Sequence, residues 1–311
     1  MASFPFLWPN TRTVAGAPGA RYTERLDFLA RYGKGMGEGW RLLGRKFVDI
    51  SRIAVVAAAW LILATAGAAA QKASATNSDW NFTLGAGVAL QPEYEGANDY
   101  VAAPLPVLDI RYRDVAFLSA LDSAGSIQEG LGWNAYKTRN FRVGPMATYY
   151  WGADNRPTGI NDVDPGFQIG AFAEFAFNHW KFDTRVLYGV SGSSEGARLN
   201  LGAAYGTRIN KDWRLIARAN TTVINANEMK TYFGVNSREA SDSVLSEYSP
   251  GAGFYDVGLD VNLTYDISKA WSVISIVKAH YLIGDAADSP LVKTSGTEAQ
   301  AYVGLGIAYH F

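Results

Sequence analysis

The 311-residue sequence predicts an all-β fold, an antiparallel transmembrane β-barrel of twelve strands that follows a cleaved signal peptide. Three observations predict it. Segments of β composition recur from Trp80 to the carboxyl terminus, and the clearest of them alternate apolar and polar residues, as strands with two unlike faces do. The connections between these segments are short at one end and long at the other. The chain stops on Tyr309-His310-Phe311, a strand whose last residue is aromatic. In a soluble protein such a strand would be an exposed, sticky edge.

Composition agrees. Glycine is abundant at 32 residues, and 17 Tyr with 9 Trp suit a barrel with aromatic girdles. There is no cysteine, so neither a disulfide framework nor a thiolate metal site is available. Mean hydropathy is −0.05, which argues against a helical membrane protein.

At the amino terminus, Ile53 to Ala66 is a continuous apolar run behind Arg45, Lys46 and Arg52. It is short of the ~20 residues of a spanning helix, and its basic front and small-residue end fit a signal peptide. Cleavage is expected after Ala70, or after Ala75; an uncleaved membrane anchor is the alternative. Met36 offers a start that leaves a basic region of ordinary length. Residues 1–35 are therefore expected to be an extension outside the fold, 36–70 the signal peptide, 71–79 a short periplasmic segment and 80–311 the barrel. Charge divides at the same place. Residues 1–70 carry a net +5 and residues 71–311 a net −6. An acidic mature chain does not present the basic footprint that nucleic acid requires.

The strands are expected at 80–90, 101–112, 115–121, 130–137, 141–151, 166–178, 180–191, 197–209, 213–225, 254–267, 271–283 and 299–311. In 197–209, Ala197, Leu199, Leu201, Ala203, Tyr205 and Ile209 oppose Arg198, Asn200, Gly202, Gly206 and Arg208. In 254–267, Tyr255, Val257, Leu259, Val261, Leu263, Tyr265 and Ile267 oppose Asp256, Asp260, Asn262, Thr264 and Asp266. The last strand sets Val303, Leu305, Ile307, Tyr309 and Phe311 against Tyr302, Gly304, Gly306, Ala308 and His310. An even strand number returns both termini to one side, and short periplasmic turns with long outer loops are the outer-membrane pattern. Segments 115–121 and 130–137 are the least regular, and ten strands with an irregular 115–137 is the alternative. Sustained helical spacing is missing from the mature sequence, and glycine within most segments would penalise a helix by roughly 1 kcal/mol each.

The inferred inner face carries both signs, among them Asp109, Arg111, Arg142, Glu174, Lys181, Asp183, Arg185, Arg198, Arg208, Arg214, Arg218, Asp256, Asp260, Asp266, Lys278 and His280. The bland reading is a salt-bridged filling of a narrow barrel; the sharper one is a small-solute pore. Hydrolysis would need a positioned histidine. Of His179, His280 and His310, only His280 could face the lumen near the outer rim, with Asp285 and Ser289 close in sequence. A satisfied network is the simpler role for it, and no enzyme activity is expected.

Three loop signatures complete the pattern. They are Pro92-Glu-Tyr-Glu-Gly96, then Thr231-Tyr-Phe-Gly-Val235 with Glu239-Ala-Ser-Asp-Ser243 and Tyr248, then Gly284-Asp-Ala-Ala-Asp-Ser-Pro-Leu-Val292. Together with the terminal strand, from about Trp80 to Phe311, they resemble the MipA/OmpV family, the MltA-interacting protein-like outer-membrane proteins. The resemblance implies a barrel in outer-membrane lipid, without catalysis or cofactor, that brings a lytic transglycosylase together with a bifunctional penicillin-binding protein. Other members are surface antigens or are linked to osmotic and antibiotic responses.

The motifs have physical readings too. Pro92 and Gly96 bracket a turn, and Tyr94 reads as a rim aromatic or a partner contact. Tyr232, Phe233 and Gly234 lie in the longest loop, 226–253, expected to fold inward as a plug or to carry a binding surface. Asp285 and Asp288 could suggest a hard-cation site, but a capped turn ending at Pro290 explains them better. Tyr309 and Phe311 read as the insertion signal for the barrel-assembly machinery.

Overall fold

The structure is a computed structural model that describes residues 79–120, 129–153, 155–193 and 195–311. The expected extension, the signal peptide, both cleavage sites and segment 71–78 lie outside the described residues. Thirteen strands form one antiparallel sheet: β1 (Trp80–Pro92), β2 (Tyr100–Tyr112), β3 (Ala116–Ser119), β4 (Gly130–Trp133), β5 (Tyr136–Lys137), β6 (Phe141–Tyr150), β7 (Gly166–Phe177), β8 (Trp180–Gly189), β9 (Ala197–Arg208), β10 (Trp213–Ile224), β11 (Gly253–Asp266), β12 (Trp271–Leu282) and β13 (Ala299–His310). β4 and β5 are one stave interrupted at Asn134-Ala135, so the expected strand over 130–137 holds with a break and the barrel has twelve staves. It closes through β1 with β13, from Thr83↔His310 to Leu90↔Val303. Elsewhere every neighbour is consecutive, apart from the short β4–β6 pairing, Leu131↔Ala147 and Gly132↔Met146. Closure leaves no open edge, which backbone in lipid requires.

The alternation sorts residues as the pleat dictates. Val88, Ile169, Val186, Leu259 and Val277 are exposed on the outer wall, while Gln168, Glu174, Asp183, Asn200, Arg218, Asp260 and Asn262 are buried inside. An aromatic belt follows the short-turn end, where Trp80 meets Tyr112, Trp180 meets Tyr205, Trp213 meets Tyr265 and Trp271 meets Tyr309. Trp and Tyr suit that interface because their rings sit in lipid and their polar edges in water. The first short turn is tight because Arg113 (φ 48°) and Asp114 (φ 54°) both take left-handed backbone, the hand that matches strand twist.

One expectation fails at β11. Tyr255, assigned to the lipid face, is 8 % exposed and turned inward. The register with β10 slips here, Thr222↔Asp256 being followed by Val223↔Phe254, and the extra residue of this β-bulge points the tyrosine into the barrel.

The outer connections contain four short helices that the sequence pattern did not show: α1 (Ala226–Phe233), α2 (Ser237–Asp242), α3 (Gly284–Asp288) and α4 (Pro290–Ser295). At eight residues or fewer they are too short for a legible period, and caps and packing hold them instead. Asn225 caps α1 by accepting from the Glu228 N–H (3.0 Å). Asn236 and Glu239 form a capping box on α2, and Glu239 also accepts from the Asn161 side chain (2.8 Å). The Arg156 guanidinium donates to the Tyr232 carbonyl (2.8 Å) and Ser289 Oγ to the Phe233 carbonyl (2.6 Å), satisfying the open end of α1. Phe233 is fully buried among Tyr94, Met229, Tyr255 and Leu282. The long loop is thus a folded cap seated in the mouth.

Candidate functional site: a capped, charged lumen

Three layers of polar side chains fill the barrel from the short-turn end to the mouth. At the bottom, His310 joins the last strand to both neighbours: its Nδ1 shares a hydrogen bond with Thr83 Oγ1 (2.9 Å) on β1, its Nε2 with Ser272 Oγ (2.8 Å) on β12. Ser272 Oγ lies 2.8 Å from Asp266, which pairs with Arg214 (2.8 Å).

The middle layer is centred on Arg218 of β10. Its guanidinium grips Asp183 of β8 in bidentate fashion (2.7 and 3.1 Å), donates to Asn200 (2.6 Å) and faces Asp260 of β11 at 3.5 Å. His280 then bridges Asp260 and Asp256, 2.8 Å from each. Arg142 and Glu174 pair separately. Buried charges survive only when matched this closely, because desolvation costs several kcal/mol per ion. His280 therefore has two carboxylates for partners, and Asp285 and Ser289, its neighbours in sequence, are engaged elsewhere.

The upper layer is the underside of the cap. Glu228 of α1, fully buried, reaches down to Arg198 of β9, whose guanidinium also lies over the Tyr232 ring at 5.8 Å. The approach is so close that a Cβ on Gly196 would sit 2.2 Å from the Glu228 Cβ. Glu95, in the connection after β1, faces the same centre. Burial pushes its carboxyl up to about 7; Arg198 and His280 oppose that shift and Asp256 and Glu228 add to it. Burial also raises the Tyr232 phenol.

Between cap and wall a vestibule of about 420 Å³ remains, lined among others by Tyr94, Glu95, Glu129, Tyr150, Gln168, Arg185, Tyr255, Lys278 and Tyr302. It shares Glu129, Arg185, Arg198, Tyr255, Asp256, Lys278 and His280 with a deeper space of about 130 Å³ that ends on Arg218.

The structure places the residues singled out in the sequence as follows. Pro92 is the last residue of β1, paired with Tyr100, so the strand runs two residues beyond its expected end. Tyr94 lies inside the mouth, buried at 8 %, with its hydroxyl 3.5 Å from the Ser295 carbonyl. Gly96 takes φ +98°, and its amide donates to the Gln300 side chain (3.1 Å). Tyr232 and Phe233 anchor α1, and Gly234 ends it by donating to the Lys230 carbonyl (2.9 Å). Asp285 accepts from the Gly251 amide (2.6 Å), Asp288 lies 3.8 Å from Lys293, and Pro290 opens α4 behind its Ser289 cap. The three motifs thus meet in one apolar cluster, through Tyr94, Tyr232 with Phe233, and Ala286 with Val292. Tyr309 and Phe311 meet edge to face at the barrel base (4.7 Å), and the Phe311 amide donates to the Phe82 carbonyl (3.0 Å). Sequence reasoning passed over Glu95, although it stands inside the first motif, and Glu228, whose partner is 30 positions away.

A closed, twelve-stave barrel with an apolar outer wall, aromatic belt and charged interior defines an outer-membrane β-barrel protein. A family sequence profile described as MltA-interacting protein MipA matches residues 84–311, and the chain belongs to that family of the Gram-negative outer membrane. No curated protein matches it. Among solved structures it is similar to the outer membrane channel DcaP of Acinetobacter baumannii, with TM-score 0.35, 11 % identity and coverage of 75 % of this chain and 96 % of that one. It is also similar to an outer membrane channel from Pseudomonas putida F1, with TM-score 0.39, 9 % identity and coverage of 79 % and 100 %. The NanC porin gives 0.35, 9 %, 74 % and 98 %.

Proposed function

We propose that this barrel is a non-catalytic outer-membrane scaffold for peptidoglycan synthesis and remodelling that brings a lytic transglycosylase together with a bifunctional penicillin-binding protein. The observation that carries the proposal is the family match over 84–311, whose description names an MltA-interacting protein. The interior supports a non-catalytic reading. His280 is held by two carboxylates, and Ser272, beside His310, is fully buried where no substrate reaches its Oγ. On the periplasmic side the turns are short, and Arg139 and Lys269 stand exposed on two of them as polar contacts for a partner. Crosslinking in intact envelopes, with photoprobes at Arg139, Lys211 and Lys269 and in the 226–253 loop, is expected to capture a murein enzyme from the turns. Capture of no murein hydrolase or synthase from any position would sink the scaffold reading.

The alternative is a narrow channel for small solutes, with the vestibule as its entrance and the Arg218 layer as the barrier a solute would have to pass. Stable unitary conductance of the refolded barrel in planar bilayers would favour that reading over the scaffold.

A further inference from the structure

The vestibule is more than space left over under the cap. At about 420 Å³ it has the size of a small-molecule site, and it is blind, because the Arg218 layer closes it below. Six tyrosines, at 94, 149, 150, 232, 255 and 302, contribute to its lining. Gln168, 2 % exposed, also lines it, and its amide nitrogen has no hydrogen-bond partner among the described residues. A buried donor left in this way costs about 1–3 kcal/mol unless something accepts from it.

Charges of both signs line the vestibule, and two of them, Arg185 and Glu95, face each other across the ring. Gln168 and Arg185 belong to the adjacent strands β7 and β8, whereas Glu95 hangs from the β1–β2 connection; Glu129 precedes β4, and Arg198 of β9 and Lys278 of β12 add cations to the lining. In a twelve-stave ring β8 stands across from β1 and β2. A solute with one charge meets its own sign as well as the opposite one, Glu95 and Glu129 on one hand and Arg185 and Lys278 on the other. Only a solute carrying both signs is matched by both walls.

We propose that the vestibule binds a small zwitterion of the amino-acid or short-peptide class, with its carboxylate toward Arg185 and the Gln168 amide and its ammonium toward Glu95. The tyrosine rings then cover the apolar part of the solute. The site opens at the mouth and stops at mid-lumen, so the solute is held rather than passed. This binding is independent of the scaffold reading and neither stands nor falls with it.

Calorimetric titration of the full barrel in detergent tests the proposal, using alanyl-alanine as probe. Its N-acetyl form keeps only the carboxylate, and its amide form keeps only the ammonium. Saturable binding is expected for alanyl-alanine, with each blocked peptide weaker by about tenfold or more, as the loss of one charge-assisted contact implies. Arg185→Met should weaken alanyl-alanine about tenfold, and Glu95→Gln should level the difference between alanyl-alanine and its N-acetyl form. Absence of saturable binding, or equal binding of all three peptides, overturns the proposal with the wild-type barrel alone. So does unchanged binding by either variant when its barrel still migrates as folded on unheated gels.

Discussion

Arg218 shows what a single side chain does in this lumen. It is 4 % exposed and answers two buried carboxylates on two other strands, Asp183 and Asp260. Replacing it by methionine takes the guanidinium from Asp183 and leaves Asp260 to His280 and Asn220, and breaking a buried pair from one side costs about 3–5 kcal/mol. Arg218→Met is therefore expected to lower the urea midpoint of the refolded barrel, with Asp183→Asn in the same chain recovering part of the loss. An unchanged midpoint would mean that water already screens the layer. Phe311 acts at the other end. It packs on Phe82 and Tyr309 and, at 68 % exposed, presents its ring to lipid. Phe311→Ala is expected to reduce the folded barrel in envelopes several-fold and leave the stability of refolded protein nearly intact, read from heat-modifiable gel mobility. A large stability loss instead would make Phe311 a packing residue and no signal.

At the scale of elements, α1 and its seat form a unit. The helix has one capped end, two borrowed donors at the other and a salt bridge to the wall, so its order depends on Arg198 keeping a partner. Glu228→Ala removes that partner and is expected to expose the 226–253 loop to protease without unfolding the strands, which proteolysis followed by mass spectrometry would report. Equal resistance would show that the apolar cluster around Phe233 holds the cap alone. Glu95 gives the cap a pH dependence. Its carboxyl titrates near 7 when folded against an ordinary 4.5, so between those values the folded state holds a proton that the unfolded chain has released. Cap stability is then greatest below about pH 4.5 and falls as the pH rises to about 7, by roughly 1–3 kcal/mol at most. Protease resistance of the cap should be higher at pH 5 than at pH 8, and Glu95→Gln should flatten that difference. A cap more resistant at pH 8 would contradict the sign.

For the molecule as a whole, the interior decides between filling and pore. The sequence showed both signs on one face of the strands, a pattern that either use would produce. The structure pairs them across strands: β8 with β10, β9 with α1, β6 with β7 and β10 with β11. The intact barrel is therefore expected to show no stable unitary conductance in planar bilayers. Joint replacement of Arg218 and Asp183 by alanine, which clears the central layer, should raise ion flux. Conductance of the intact barrel equal to that of the variant would make the layer a selectivity feature of a pore.

Alternation and turn chemistry are local, so the strands, the closure of the barrel and the lipid face could be read from the sequence to within a few residues. Strands near β4 were less legible because four-residue staves carry too little pattern, and Tyr255 was misassigned because a bulge depends on how the neighbouring strand registers. The family could be read from the order of three loop motifs, but the reason those motifs exist could not. Pro92–Gly96, Thr231–Val235 and Gly284–Val292 meet only in three dimensions, and Glu95, Glu228 and Arg198 converge from three distant stretches of chain. Which charges satisfy one another, whether the long loop caps the mouth and what space remains beneath it are set by contacts between residues far apart in sequence. Those were decided by the tertiary structure alone, because pairing energy in a low-dielectric interior depends on distances that no spacing along the chain encodes.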